Sequence, residues 1–370
     1  MANQQKSISI RGVITLTAHA HQTAPDGGAE GVTPQMKTGV FCEGKKVDVP
    51  YISANSVRGM IRRAAGDVLM EQLEARGEQI SRNVYLSIKR GSYARTGLDA
   101  GGATYMQMVA ADKHPFAGLF GGGAHMYRSK LRIERDLYPM IAATRSLFPE
   151  RYQAMCVEAE PAQLLTKTLI ASRDDFERLP AGAFIENVEQ AYLEHMAAKF
   201  GQNAAKKAQK AEARAEGQGL VKSEKLKTDD LNTFTQVECI VAGTPMYFGV
   251  TVSAPTDAQI GLLLNAIQRW ANANALGGGS CRGRGSFKAA LQLFSGSELL
   301  IENVLTGDAG SYELAAKAAP YVAALEEAIT EGMAEAATLS ALYPTAIKKD
   351  DDETKGKKGK AKAAEAEAEA

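Results

Sequence analysis

The order in which β-type and helical periodicities follow one another is the strongest constraint on this chain. From Ser7 to Thr17 the pattern is that of a half-buried strand, with Ile8, Ile10, Ile14 and Leu16 on one side and Ser9, Arg11, Thr15 and Thr17 on the other. Val57, Met60, Ile61, Ala64, Val68 and Leu73 then keep helical spacing behind a capping Ser53 or Asn55. Two β-type runs, Thr235 to Ala242 and Met246 to Ser253, are joined by Gly243-Thr244-Pro245 and predict a hairpin. Ile260, Leu263, Leu264, Ile267 and Ala271 mark a second amphipathic helix that should stop at Gly277-Gly278-Gly279. Phe287, Ala289, Leu291 and Leu293 alternate with Lys288, Ala290 and Gln292 as a last strand.

Strand, helix, hairpin, helix, strand resembles a split β-α-β plan. That is an α+β, ferredoxin-like or RNA-recognition-motif-like architecture, an antiparallel sheet backed by two helices. Such a sheet leaves one face open, a common place for RNA to lie. The core should comprise residues 1–76 and 235–342, with 77–234 inserted between them. Thr23 to Lys46 reads as a polar loop, Gln202 to Lys227 as an exposed helix or loop, and Ser311 to Ser340 as one alanine- and glutamate-rich helix. Residues 345–370 form a charged tail expected to be disordered.

With 370 residues, 45% of them hydrophobic, the chain can bury a proper core in one large domain or two ordinary ones. No apolar run approaches the roughly 18 residues that suggest a membrane span, and Met1 to Lys6 lack the apolar segment of a secretory signal. The four cysteines, Cys42, Cys156, Cys239 and Cys281, are far apart and form neither a zinc knuckle nor a disulfide framework. A cytoplasmic protein is therefore expected. The 43 basic and 43 acidic side chains cancel, which argues against a surface coated in nucleic acid but leaves room for local basic patches.

Two segments could carry chemistry. Gly277, Gly278, Gly279, Gly283 and Gly285 crowd nine residues and enclose Arg282 and Arg284, planar donors suited to phosphate oxygens. No GxxxxGK[ST] order is present, and the loop precedes a strand rather than opening a helix, so no nucleotide cofactor is expected. The second segment is Ser53-Ala54-Asn55-Ser56-Val57-Arg58-Gly59 with Arg62 and Arg63. A helix N-terminus disfavours cations, and three arginines in its first turns would be offset by a bound phosphate on the free N–H groups.

Pro50 to Gly59 resembles the I-P-G-S-S-L-[KR]-G segment of the RAMP superfamily, Leu119-Phe120-Gly121 its L-F-G motif, and Gly277 to Gly285 its C-terminal glycine-rich loop. The motifs come in family order and, with their flanking strands, cover roughly half of the chain. Size and a single glycine loop look like the CRISPR effector backbone subunit, and Ser-Ala-Asn in place of the family's glycine looks most like the type IV branch. The resemblance implies a palm with a ferredoxin-like core, a helical insertion and a thumb that crosses guide RNA. Leu164 to Arg178, with Lys167 and Arg173, occupies the thumb's place. Its implied partners are guide RNA, target nucleic acid paired to that guide, further copies in a filament, and other CRISPR effector subunits. Its implied RNA-binding set is Ser53, Asn55, Ser56, Arg58, Arg62, Arg63, Lys167, Arg173, Gly277, Gly278, Gly279, Arg282, Gly283 and Arg284.

A non-catalytic RNA-binding role is the main expectation; the alternative is an RNA endonuclease on the same scaffold. In type III relatives an aspartate in the loop after the first strand helps cleave target RNA, and here that loop holds Asp26, with Asp48 nearby. His19 and His21 could bind metal or act as acid and base, though no third ligand is evident, and Asp174-Asp175 could ligate Mg²⁺. Trp270 should be core, whereas Tyr85, Tyr93, Tyr105 and Phe120 are candidates for base stacking.

Overall fold

Strand β1 (Ile8–Leu16) is the centre of the molecule's main sheet, and its alternation is the reason. Ile8, Ile10, Ile14 and Leu16 are buried against helices, whereas Arg11, Val13 and Thr15 face the other way and are only half-buried. The structure is a computed structural model, and it describes residues 7–25, 32–91, 103–171, 194 and 234–344. Arg173, Asp26, Tyr93, Asp174-Asp175, the 202–227 segment and the 345–370 tail lie outside them.

In chain order the elements after β1 are β2 (Val32–Thr33), β3 (Lys37–Cys42), β4 (Lys45–Pro50), α1 (Ala54–Arg76), α2 (Arg82–Arg90), α3 (Tyr105–Lys113), α4 (Pro115–Phe120) and β5 (Leu131–Ile133). There follow α5 (Glu150–Gln153), β6 (Leu165–Ala171), β7 (Phe234–Ile240), β8 (Pro245–Val252), α6 (Asp257–Ala273), β9 (Phe287–Ser295) and β10 (Glu298–Ile301). Last come β11 (Leu305–Thr306), β12 (Glu313–Leu314), α7 (Ala319–Thr330) and α8 (Ala336–Leu342).

The main sheet runs β10-β9-β1-β8-β5, antiparallel at every junction. Taking β1, α1, β5, β8, α6 and β9 as the six core elements, the strands lie in the order fourth, first, third, second. This is the ferredoxin-like α+β arrangement. Helices α1 and α6 cover one face and share an apolar core in which Ile61, Leu69, Leu263, Ile267 and Trp270 meet Ile10 and Ile14. Trp270, packed between Phe248 and Phe287, is core as expected. Helix α6 ends one turn before the glycine triplet: Asn274 adopts the left-handed conformation at φ 50° and caps it.

The hairpin expected at 235–253 is not formed. Its first half, β7, joins β2 and β6 in a separate three-stranded sheet, and only its second half, β8, enters the main sheet. The partner that completes the fold is β5, three residues long, from within the stretch expected to be an insertion. Its brevity hid it, because three residues carry too little period-two signal.

The Thr23 to Lys46 loop likewise contains structure. Strands β3 and β4 pair from Lys37↔Pro50 to Cys42↔Lys45. Glu43 at φ 48° and Gly44 at φ 78° form the two-residue turn between them, with both residues at the positive φ that a tight hairpin turn demands. The single helix expected at 311–340 is two, α7 and α8, interrupted at Gly332 with φ 91°.

The chain divides into two compact units. One comprises Met1–Gln22, Met36–Leu165 and Ile240–Ala370; the other Thr23–Gln35 and Thr166–Cys239. In the first unit the sheet face opposite the helices is not open. Residues 138–157 lie over it, with Met140, Phe148 and Tyr152 packed on Tyr247, which has no exposed surface. Beside this cluster Glu134 accepts hydrogen bonds from Arg11 (2.7 Å), Tyr247 (2.9 Å) and Thr251 (2.8 Å). Burial works against the Glu134 carboxylate, but these three donors outweigh it and hold its pKa below the usual range.

Candidate nucleic-acid interface

The turn that opens α1 is built by three side chains. Ser53 is the N-cap, its hydroxyl accepting the Ser56 N–H at 3.2 Å. The Gln22 side chain clamps it from outside, donating to the Ser53 hydroxyl and accepting the Ser53 N–H, each at 2.8 Å. The Ala54 N–H donates to the Asp136 carboxylate at 2.6 Å. The anion expected at this helix end is therefore supplied from within the protein, and the dipole that a phosphate would have met is already answered by Asp136.

The arginines that follow separate by role. Arg62 is buried at 2% exposure and does not face solvent, which removes it from the contacts expected for RNA. Its guanidinium donates to the carbonyls of Ile88 (2.7 Å), Ser87 (2.6 Å), Phe120 (3.0 Å) and Gly121 (3.1 Å), and it lies over the rings of Phe116 and Phe120. Two of those carbonyls belong to the last turn of α2, where a cation is favoured. Burial lowers the Arg62 pKa to about 10, so the charge persists at neutral pH. Arg58, half-buried, also donates to the Phe120 carbonyl at 2.8 Å. The two sequence motifs, one on α1 and one ending α4, are thus a single mechanical joint. Leu119 and Phe120 are buried in the core, and Phe120 is no stacking platform.

Arg63 is exposed, as is Asn55, while Ser53 and Ser56 are partly covered. Arg63 lines a groove of about 850 Å³ between α1 and α2. Asn55, Arg58, Gly59, Arg62 and Asp67 complete its α1 side, and Tyr85, Leu86, Lys89 and Arg90 form its α2 side. Arg63 and Arg90 have no carboxylate partner among the described residues. Lys89 is bound to Asp67 and to the Arg63 carbonyl, and braces the two helices. Sequence reasoning singled out Tyr85 but missed Lys89 and Arg90, because a short helix in an irregular stretch gave no reason to bring them to the same groove as Arg63. The signal available was their position in the last turn of a helix with a serine cap.

The glycine loop is braced, not slack. The Gly278 N–H donates to the His21 carbonyl at 2.7 Å, and the Gly285 N–H to the His19 carbonyl at 2.8 Å. A Cβ on Gly277 would stand 2.4 Å from the His21 carbonyl oxygen, and one on Gly285 would stand 2.1 Å from that of Leu276. Both positions need glycine for close backbone approach. Gly279 and Gly283 bound a short turn, Ser280–Arg282, that holds Arg282 at the exposed tip, with Arg284 half-buried behind it. A Cβ on Gly277 would also stand 3.5 Å from Ile52 Cδ1, and His21 and Gln22 link the loop to the α1 cap. The two segments singled out in the sequence are therefore neighbours in one unit.

His19 and His21 hold that loop through their carbonyls. His19 Nδ1 accepts the Ala242 N–H at 3.0 Å, and His21 is buried at 6% exposure. Among the described residues no group of three or more His, Cys, Asp or Glu could hold a metal ion. Lys167 is exposed on β6, in the second unit. Tyr105 is 79% exposed on α3, and Asp48 is exposed on β4. Among the described residues no helix is long and apolar enough to cross a membrane.

No family model and no curated protein matches the chain. Among solved structures it is similar to a chain of a "Type IV-B CRISPR Complex", with 16% identity, a TM-score of 0.45, and coverage of 77% of this chain and 90% of that one.

Proposed function

We propose that this protein is a non-catalytic RNA-binding subunit of a CRISPR effector complex, one that holds the sugar-phosphate backbone of a guide RNA and leaves its bases to pair with a target. The observation that carries this reading is the groove between α1 and α2, where the exposed guanidinium groups of Arg63 and Arg90 face a cleft of about 850 Å³ without carboxylate partners among the described residues. Cations left unpaired around a concavity suit a polyanion, and backbone contacts carry no base preference. Arg282, on the loop tied to the α1 cap, adds a further exposed cation in the same unit. The motifs shared with the RAMP superfamily supply the guide-RNA part of the reading, together with head-to-tail stacking of copies along it. Neutral net charge is consistent with stacking, because copies repel weakly while one groove stays basic.

The endonuclease alternative would use Asp26, which lies outside the described residues, or His19 and His21, whose carbonyls brace the glycine loop. The test is purification of the protein with whatever RNA it retains, followed by absorbance ratio, RNA sequencing and binding titrations across salt. Retained RNA and an affinity that falls steeply with salt are expected. Arg63→Glu with Arg90→Glu should make the salt slope shallower by about two, roughly one per lost phosphate contact. Full-length RNA retained equally by wild type and the double variant would remove the groove from the site.

A further inference from the structure

The groove between α1 and α2 is not lined by cations alone. Tyr85, on the α2 side, is 45% exposed, and Leu86 beside it is partly exposed. A groove for phosphate alone needs neither. On the α1 side Gly59, partly exposed, lies one turn from both Asn55 and Arg63, and a Cβ there would meet only the Arg63 guanidinium, at 3.3 Å. A glycine inside a helix costs about 1 kcal/mol relative to alanine, and here it leaves that turn of the α1 wall without a side chain in the groove that Tyr85 also lines. Farther along, Gly66 lets the helices close: a Cβ there would be 3.0 Å from Ile88 Cγ2. Arg62, bonded to the α2 carbonyls, fixes the spacing of the two walls. The cleft is therefore a braced slot lined by one aromatic residue, Tyr85, by the exposed Arg63 and Arg90, and by Asp67, whose carboxylate is taken up by Lys89.

We propose that this slot takes one unpaired nucleotide of the bound strand, its base stacked on Tyr85 and its flanking phosphates on Arg63 and Arg90. Every base has a π-face, so stacking is tolerant of sequence, and a paired base has no face free for a side chain. The ligand class is single-stranded RNA, and the slot would discriminate against duplex. The inference rests on the RNA-binding reading above, and its failure is separable from the failure of that reading.

The experiment compares three probes on the full-length protein: a single-stranded oligonucleotide, the same strand with abasic sites, and a duplex of equal length. Tyr85→Ala should weaken single-stranded binding by about tenfold, the scale of one base–aromatic stack, while abasic binding and the salt slope stay unchanged. Tyr85→Phe should retain wild-type affinity. Tyr85→Trp adds an indole to a protein whose single native one, Trp270, is 3% exposed, and its emission should be quenched by the base-bearing strand and not by the abasic one. Equal losses for base-bearing and abasic strands, or no loss, would overturn the stacking assignment while RNA binding stands. Absence of binding to any probe by wild type would overturn the RNA-binding reading itself.

Discussion

The guanidinium of Arg62 and the carbonyl of Phe120, 3.0 Å apart, join the α1 motif to the L-F-G motif in the interior of the main unit. Three further carbonyls complete the arginine's coordination. A buried cation without a carboxylate is stable only when its donors are all engaged, and the planar fork of arginine matches this spread of acceptors better than an ammonium does. Arg62→Ala should therefore lower unfolding stability by at least about 3 kcal/mol, and Arg62→Lys should recover little of it. Urea denaturation of the two variants measures this; a midpoint unchanged in Arg62→Ala would contradict the joint. Arg63→Glu, one residue on and exposed, should leave the midpoint in place.

His114 gives the fold a defined acid sensitivity. It caps α4, its Nδ1 accepting the Phe116 and Ala117 N–H groups at 3.2 and 3.1 Å while Nε2–H donates to the Met333 carbonyl at 2.8 Å. Burial, opposed only by that carbonyl, lowers its pKa to about 4. The unfolded chain titrates near ~6.5, so between these values it binds more proton than the native state. The stabilising contribution is complete above about pH 6.5 and is lost as pH falls toward 4, by up to about 3 kcal/mol. His114→Asn keeps a capping side chain and should flatten this part of the stability–pH curve. A wild-type curve equally flat over the same interval would refute the assignment.

Two glycines of the loop should respond differently to alanine. Gly285→Ala places a methyl group 2.1 Å from the Leu276 carbonyl oxygen and also strains a φ of 79°. Gly283→Ala meets nothing within 4 Å and strains only its φ of 72°, at a cost of about 1 kcal/mol. Thermal unfolding and limited proteolysis should show a large shift for the first and a small one for the second. Similar shifts would mean that Gly285 does not approach the Leu276 carbonyl this closely.

The core was legible where periodicity ran long. Nine residues of β1 and the stripes of α1 and α6 carry enough repeats to specify both element and face. The Thr235 to Ser253 hairpin failed because two adjacent β-type runs with a turn signal between them do not reveal which sheet each will join. For the candidate site, the locations of the α1 turn and the glycine loop were legible, and so was the exposure of Arg63 and Arg282. The burial of Arg62 was not. On α1 it occupies a position that helical spacing alone assigns as readily to solvent, and only the arrival of α2 and of Phe120 from distant sequence covers it. Asp136 was invisible for the same reason, lying 82 residues from the amide it satisfies.

The brevity of the main sheet's two border strands limits how copies of this protein can join. On one side β5 offers three residues, and on the other β10 offers four, with its register shifted between Leu299 and Ile301. Neither presents a long regular ladder of free amides to an incoming strand, so lateral growth of this sheet from molecule to molecule is discouraged. The head-to-tail stacking proposed above would then have to use side-chain surfaces, whose shape and charge set a definite rotation per added copy, and not backbone templating of the kind that builds amyloid.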